Sequence, residues 1–336
     1  MSIEVTDLDK TYDGFETKIP ALQGVDLRVD TGELLVVVGP SGSGKSTLLR
    51  TVAGLETSDR GTVRVGDRDV THVAPGQRDV AMVFQDYALY PHLDIRTNIA
   101  FPLLARKIDR TEVDRRVGET AAMLGIGGIL GRKPSEVSGG ERRRVALARA
   151  VVRGPQAFLM DEPLSNLDAN LKRRVQLEVA ALQDRLGTTT LYVTHDQTEA
   201  MMLGHRIAVL REGRVEQVGQ PMELYDSPAN MFVARFIGRH PMNIFPATAA
   251  GLRGAAWVGL RAESLRISAR ATARLTGKVL AVDRLGAEVV IEAEVAGEGA
   301  MIVAERDTRV TAGDDIHLTF SDPDLHLFDE DGEALP

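Results

Sequence analysis

No cysteine occurs among the 336 residues, which excludes disulfides, thiolate metal sites and thiol nucleophiles. Such a composition is compatible with a reducing cytoplasm without demanding one. Long apolar runs are missing too. A bilayer-spanning helix needs about 20 consecutive apolar residues, and the longest clean run, Leu34 to Val38, is far shorter. The opening MSIEVTDLDK is acidic and lacks the apolar stretch of a signal peptide. The chain is therefore expected to stay where it is made and to reach a membrane only through a partner. Positive charge is in deficit, with 48 acidic against 40 basic residues and a formal net charge of -8. A polyanion is repelled on average, so no nucleic-acid partner is expected. The basic run Arg142-Arg143-Arg144 reads as a solvated helix face.

What is present suits a folded globular protein. Apolar content of 43% supports a real core, and the length predicts two domains. Leu34-Leu35-Val36-Val37-Val38 reads as a strand buried on both faces, as in a parallel sheet. Val80 to Phe84, Ala157 to Met160 and Thr190 to Val193 read alike. Between 168 and 186, Leu171, Val175, Val179, Leu182 and Leu186 recur at helical steps. Asp168 stands where an N-cap belongs and Gly187 where a C′ glycine belongs. Strands alternating with helices predict an α/β layer fold. Beyond residue 236 the texture changes to short segments, Trp257 to Leu260, Lys278 to Val282, Glu288 to Val295 and Ile316 to Phe320, punctuated by glycines. That pattern predicts a small all-β barrel. The expected domains are 1–236 and 237–336, with the boundary near 237–242.

Gly39-Pro40-Ser41-Gly42-Ser43-Gly44-Lys45-Ser46-Thr47 follows the Leu34–Val38 run directly and opens a helix expected over Ser46 to Leu55. This is the G-x-x-x-x-G-K-[ST] phosphate-binding pattern in its strand–loop–helix setting. The glycines let the backbone curl until several N–H groups face one anion, and the helix N-terminus adds partial positive charge. Lys45 brings a full charge to the β- and γ-phosphates, and the Ser46 hydroxyl is offered to Mg²⁺. Such a loop by itself serves kinases, GTPases, motors and transporters alike.

Further along, Ala157 to Met160 ends in Asp161-Glu162. Ligands in open α/β sheets sit at the carboxyl ends of strands. Asp161 then reaches the Mg²⁺ shell, and Glu162 is the candidate general base for the attacking water. His195 follows the Thr190–Val193 strand and Gln85 the Val80–Phe84 strand. Both therefore converge on the same sheet edge, His195 toward the γ-phosphate and Gln85 toward the metal or the water.

In this order the residues resemble the nucleotide-binding subunits of ATP-binding-cassette (ABC) transporters. The deciding piece is Val137-Ser138-Gly139-Gly140-Glu141 at the start of a helix, which resembles the family's signature motif and is physically a second anion site. The resemblance implies a head-to-tail homodimer with two ATP molecules, each held between one phosphate loop and the opposite Ser138, Gly139, Gly140 and Glu141. It also implies that Tyr12 stacks on adenine, that Gln85 is the Q-loop glutamine, that Ser165-Asn166-Leu167-Asp168 is the D-loop and that His195 is the switch histidine. It covers residues 1–236. Val137 replaces the commoner leucine and Glu141 the commoner glutamine, which puts an acid near the partner's nucleotide.

The C-terminal segments Pro241-Met242-Asn243, Gly259-Leu260-Arg261-Ala262-Glu263 and Leu325-His326-Leu327-Phe328 resemble the TOBE/MOP-like, OB-like regulatory barrel of carbohydrate-importer ATPases of the maltose and glycerol-3-phosphate type. Ala262 stands where that subfamily usually has proline. The whole predicts a P-loop NTPase of the ABC type with a mainly parallel core sheet and a C-terminal all-β barrel. It implies ATP and Mg²⁺ as ligands, and two transmembrane permease subunits and, indirectly, an extracytoplasmic solute-binding protein as partners. The place of action implied is the cytoplasmic face of the cell membrane. Asp86 to Leu104, rich in aromatics, is the expected docking surface. A sugar or polyol is the solute implied, with polyamine, ferric iron or sulfate as alternatives. A soluble ABC ATPase acting on ribosomes or DNA is the reading of a different class, disfavoured by the single cassette and the acidic charge.

Overall fold

The computed structural model describes residues 1–14, 17–84, 89–164 and 169–336. The chain forms two compact units, Met1–Val215 and Glu216–Pro336. In chain order the first comprises β1 (Ile3–Asp13), β2 (Lys18–Val29), β3 (Leu34–Val38), α1 (Lys45–Ala53), β4 (Arg60–Val65), β5 (Arg68–Asp69), β6 (Val80–Val83), α2 (Ile95–Ala105), α3 (Arg110–Met123), α4 (Gly139–Val151), β7 (Ala157–Asp161), α5 (Ala169–Leu186), β8 (Thr189–Val193), α6 (Gln197–Leu203) and β9 (Arg206–Arg211), with β10 (Arg214–Gly219) leading into the second. There follow α7 (Pro221–Asp226), α8 (Met231–Phe236), β11 (Asn243–Pro246), β12 (Trp257–Leu260), β13 (Arg266–Ile267), β14 (Leu275–Arg284), β15 (Glu288–Val295), β16 (Glu298–Glu305), β17 (Asp315–Thr319) and β18 (His326–Phe328).

A six-stranded sheet of order β10-β9-β3-β8-β7-β6 supports the site. Its inner strands pair in parallel, β3 with β8 and β9, and β7 with β6 and β8. Every residue of β3, β7 and β8 is buried, as uninterrupted apolar strands covered on both faces must be. A second, antiparallel sheet has the order β2-β1-β4-β5. Its period-two pattern is obscured in the sequence because the β1–β2 ladder shifts register three times between Val5 and Thr11. In α5, Val179 is buried; the side chains of Leu171, Val175, Leu182 and Leu186 lie outside the described residues. Gly187 ends the helix at φ +55 with its N–H on Gln183 O, the left-handed C′ role expected of it.

Helices α2, α3 and α4 enclose a core of their own, in which Ile95, Ile99, Leu103, Val117 and Val145 pack together. This corrects the reading of Arg142-Arg143-Arg144 as a wholly solvated face. Arg142 is exposed, but Arg143 is 2% exposed, among the largest fully buried side chains.

The second unit is antiparallel throughout its two sheets, β11-β12-β18 and β13-β17-β14-β15-β16. Phe245, Val258 and Leu260 of the smaller sheet share one apolar core with Leu275, Ile291 and Leu318 of the larger, the two-sheet form of the expected barrel. The unit begins ahead of the boundary expected near 237–242, and Arg261 supplies the reason. Its buried guanidinium donates to Tyr225 O (2.6 Å), Ala234 O (2.9 Å) and Ile237 O (2.7 Å) and lies 4.0 Å from the centre of the Tyr225 ring. The α7–α8 segment is thereby joined to the barrel. Among the described residues no helix is long and apolar enough to cross a membrane.

Candidate nucleotide-binding site

The loop after β3 depends on glycine at defined points. Gly42 and Gly44 sit at φ +79 and +103, a region costly for residues with a side chain. A Cβ at Gly44 would lie 2.2 Å from Ala21 O, and one at Gly39 2.0 Å from Leu210 O. Gly44 is the N-cap of α1, which no side chain caps and whose first turn holds no acid. The helix N-terminus is thus left for an external acceptor.

Lys45 is 6% exposed, and its Nζ donates to Gly39 O at 2.9 Å and Pro40 O at 2.8 Å. Burial pulls its pKa down, and the charges of Glu162 and Asp161 oppose that. A buried ammonium held by neutral carbonyls is short of negative charge, so an anionic ligand would improve its surroundings. Beside it the Ser46 hydroxyl donates to Asp161 Oδ1 at 3.1 Å. Burial raises the Asp161 carboxyl pKa against the effect of that bond. Ser46 and Asp161 together present hard oxygen donors of the kind that Mg²⁺ prefers.

Glu162 and His195 come from the ends of neighbouring strands, β7 and β8. Glu162 adopts φ +44, and its N–H donates to Val193 O at 2.9 Å. That turn aims its carboxylate at His195, whose Nδ1 lies 3.0 Å from Glu162 Oε2. A positive φ on a residue with a long side chain is uncommon and gathers at functional sites.

These groups share one cleft of about 470 Å³, lined by Tyr12, by Ser41, Gly42, Ser43, Gly44, Lys45, Ser46 and Thr47, and by Glu162 and His195. Tyr12 is half-buried with Lys10 Nζ 5.3 Å from its ring centre. Gly39 and Pro40 take part through the carbonyls that hold Lys45. Gln85 and Asp168 lie outside the described residues, as do Ser165, Asn166 and Leu167.

Ser138, Gly139, Gly140 and Glu141 stand apart from that cleft, at the start of α4. Ser138 is the N-cap, and its hydroxyl accepts from Glu141 N (3.3 Å). The Glu141 carboxylate accepts from Ser138 N at 2.8 Å and from its hydroxyl at 2.7 Å. Those bonds, the backbone one first, hold the exposed Glu141 carboxyl below its ordinary pKa. The acid noted in the sequence is therefore half of a capping box.

A second cleft, of about 350 Å³, is lined by Met82, Phe84, Tyr90, Phe101, Arg149 and Arg153 among others. Tyr90 and Phe101 have ring centres 4.6 Å apart, and Phe101 and Leu104 are exposed. Of the described part of the Asp86–Leu104 segment, Tyr90, Phe101 and Pro102 line this surface depression. One group of residues went unmarked in the sequence: Lys172, Tyr192, Thr194, Asp196 and Glu199 form a polar network next to His195. The available signal was Asp196-Gln-Thr-Glu199, an N-cap followed by an acid three residues on.

Comparison with known proteins extends over the whole chain. The pattern of the ABC transporter family matches residues 22–165, and that of the TOBE domain matches residues 258–328. A protein of Ruegeria pomeroyi is 47% identical over 353 residues, covering 99% of each chain. One of Cupriavidus pinatubonensis is 43% identical, covering 97% of each, and one of Rhizobium meliloti is 44% identical, covering 99% of each. All three bear the name sn-glycerol-3-phosphate import ATP-binding protein UgpC. Among solved structures, the ATP-binding cassette MJ0796, in a dimeric post-hydrolysis state bound to ADP and Pi, is similar with a TM-score of 0.58 and 31% identity. The match covers 65% of this chain and 98% of that one.

Proposed function

This chain belongs to the ABC transporter family, and we propose that it is the ATP-hydrolysing subunit of an importer for sn-glycerol-3-phosphate or a related sugar or polyol. The observation that carries the proposal is the convergence of Lys45, Ser46, Glu162 and His195 on one cleft, with Asp161 bonded to Ser46 beside it, in a chain matched end to end by import ATP-binding proteins.

The triphosphate of ATP lies along residues 39–47, and Lys45 exchanges the Gly39 and Pro40 carbonyls for the β- and γ-phosphates. Tyr12 stacks on the base. Ser46 and Asp161 would hold Mg²⁺, with Gln85 added from the family resemblance, and the bound ion would supply neutralisation of the phosphate charge. Glu162 takes the proton of the attacking water, and His195, fixed on Glu162 through Nδ1, orients the pair toward the γ-phosphate. Catalysis of this kind is mostly positioning and charge neutralisation.

The site is completed in a homodimer. Ser138, Gly139, Gly140 and Glu141 of one copy meet the nucleotide on the other, and Asp168 belongs to the same junction. Their separation from the cleft of their own chain and the dimeric state of the similar cassette support this arrangement. Two permease subunits dock on the Tyr90–Phe101 depression, a solute-binding protein delivers the cargo, and the motor works at the cytoplasmic face of the membrane.

The test is steady-state ATPase activity. Glu162→Gln is expected to keep nucleotide affinity and lose activity by roughly 10²-fold or more, the usual worth of a general base. Turnover within a factor of two of the parent would show that Glu162 is not the general base.

A further inference from the structure

His195 is exposed, its side chain 55% accessible, yet the residues on either side of it are held tightly. Glu199 is 1% exposed and is the hub. One of its carboxylate oxygens accepts from the Tyr192 hydroxyl and the other from Thr194 Oγ1 at 2.5 Å. Asp196 N donates to Thr194 Oγ1 at 3.0 Å, and Glu199 N donates to Asp196 Oδ1 at 2.9 Å. Thr194 and Asp196 are thus closed into one ring that fixes the backbone from which His195 projects.

The ring gathers two carboxylates, and Lys172 pairs with both. Its ammonium bonds Asp196 and lies 3.9 Å from Glu199 Oε2. Lys172 belongs to a different element, the first turn of α5. The contact is half-buried, with side-chain exposures of 18% and 29% for Lys172 and Asp196, so it is not an ordinary surface pair screened by water. Burial resists ionisation of Asp196, yet the Lys172 bond and the Glu199 N–H outweigh it and leave its pKa below the usual value.

We propose that Lys172 is a positioning residue for hydrolysis: it fastens the first turn of α5 to Asp196, which follows His195, and to the Glu199 hub that holds Thr194 on the other side, so the His195–Glu162 contact is set by where α5 is held. The inference rests on the ATPase reading of the site. A displacement at the start of α5 is carried to the His195 loop by this cation, and removing it leaves two neighbouring carboxylates to repel each other and shift the loop.

The experiment uses the full-length protein and three variants, Lys172→Met, Lys172→Arg and Asp196→Asn. It reads kcat, KM, thermal midpoint and the NMR signal of the His195 imidazole. Lys172→Met is expected to lower kcat at least tenfold with KM within threefold, to displace the His195 signal and to leave the fold intact. Lys172→Arg is expected to restore kcat to within threefold of the parent. Asp196→Asn keeps the Oδ1 acceptor for Glu199 N and serves if Lys172→Met does not fold; it is expected to lower kcat and displace His195 likewise. A kcat within twofold of the parent, a loss that Lys172→Arg does not recover, or a loss with the His195 signal unmoved overturns the proposal. Failure of the ATPase reading itself shows differently, as absence of hydrolysis in the unaltered protein.

Discussion

Lys45 lines the cleft and Asp161 accepts from the adjacent Ser46, and burial works against the charge of each. Opposite charges this close relieve one another only in part when both have left water. For Asp161 the consequence for stability has a definite sign. Its folded pKa is raised above 3.8, so the folded chain binds more protons than the unfolded one in the window above that value. Its contribution is present at and below pH 3.8 and is lost as pH rises through the folded pKa. Asp161→Asn keeps an oxygen for the Ser46 hydroxyl and removes the buried charge. We expect a higher thermal midpoint than the parent at pH 7 without nucleotide, and no further rise with Mg²⁺ and ATP, read by differential scanning fluorimetry. A parent-like Mg²⁺·ATP shift would remove Asp161 from the metal site. Residues in contiguous motifs such as these were legible in the sequence, because spacing alone delivers them to one strand end. Lys172 and Glu199 were not, because each is an ordinary helix residue until α5 and the turn after β8 are brought side by side.

Among the elements, the buried strands announced themselves. β3, β7 and β8 agree with the apolar runs to within a residue at each end, since a strand covered on both faces has no reason to carry polar residues. The β1–β2 ladder stayed hidden because its register shifts break the alternation that marks a half-buried strand. Sequence texture groups the α7–α8 segment with the first domain, and nothing in its composition shows that Arg261, far along the chain, accounts for three of its backbone carbonyls. Burial pulls the pKa of this arginine down to about 10, so it remains charged at pH 7, and its replacement strands those carbonyls. Arg261→Met is expected to cost about 2–4 kcal/mol, the range for losing hydrogen bonds from a buried charged group. The measurement is the urea unfolding midpoint. A midpoint within error of the parent would show that α7 and α8 are held by other means.

For the molecule as a whole, the proposal gives each copy two helix N-termini that meet phosphate, and of these two α1 opens on the cleft with Tyr12, Glu162 and His195. The other, at α4, is capped by its own Glu141 carboxylate, and a phosphate arriving there has to compete with that acid. Under the proposed pairing, closing of two copies would complete each site and be felt by whatever sits on the Tyr90–Phe101 depression.

The sharing of one nucleotide by two copies is tested most directly by mixing two disabled variants. Lys45→Ala spoils the phosphate loop and Ser138→Arg the α4 terminus, so each protein by itself is expected to be inactive. In a mixed pair one junction combines the intact loop of one copy with the intact α4 terminus of the other. Random re-pairing of equal amounts should then restore up to roughly a quarter of the parent ATPase activity, as head-to-tail symmetry requires. If Ser138→Arg hydrolyses ATP like the parent, or the mixture recovers nothing although the chains have exchanged, the shared site is wrong.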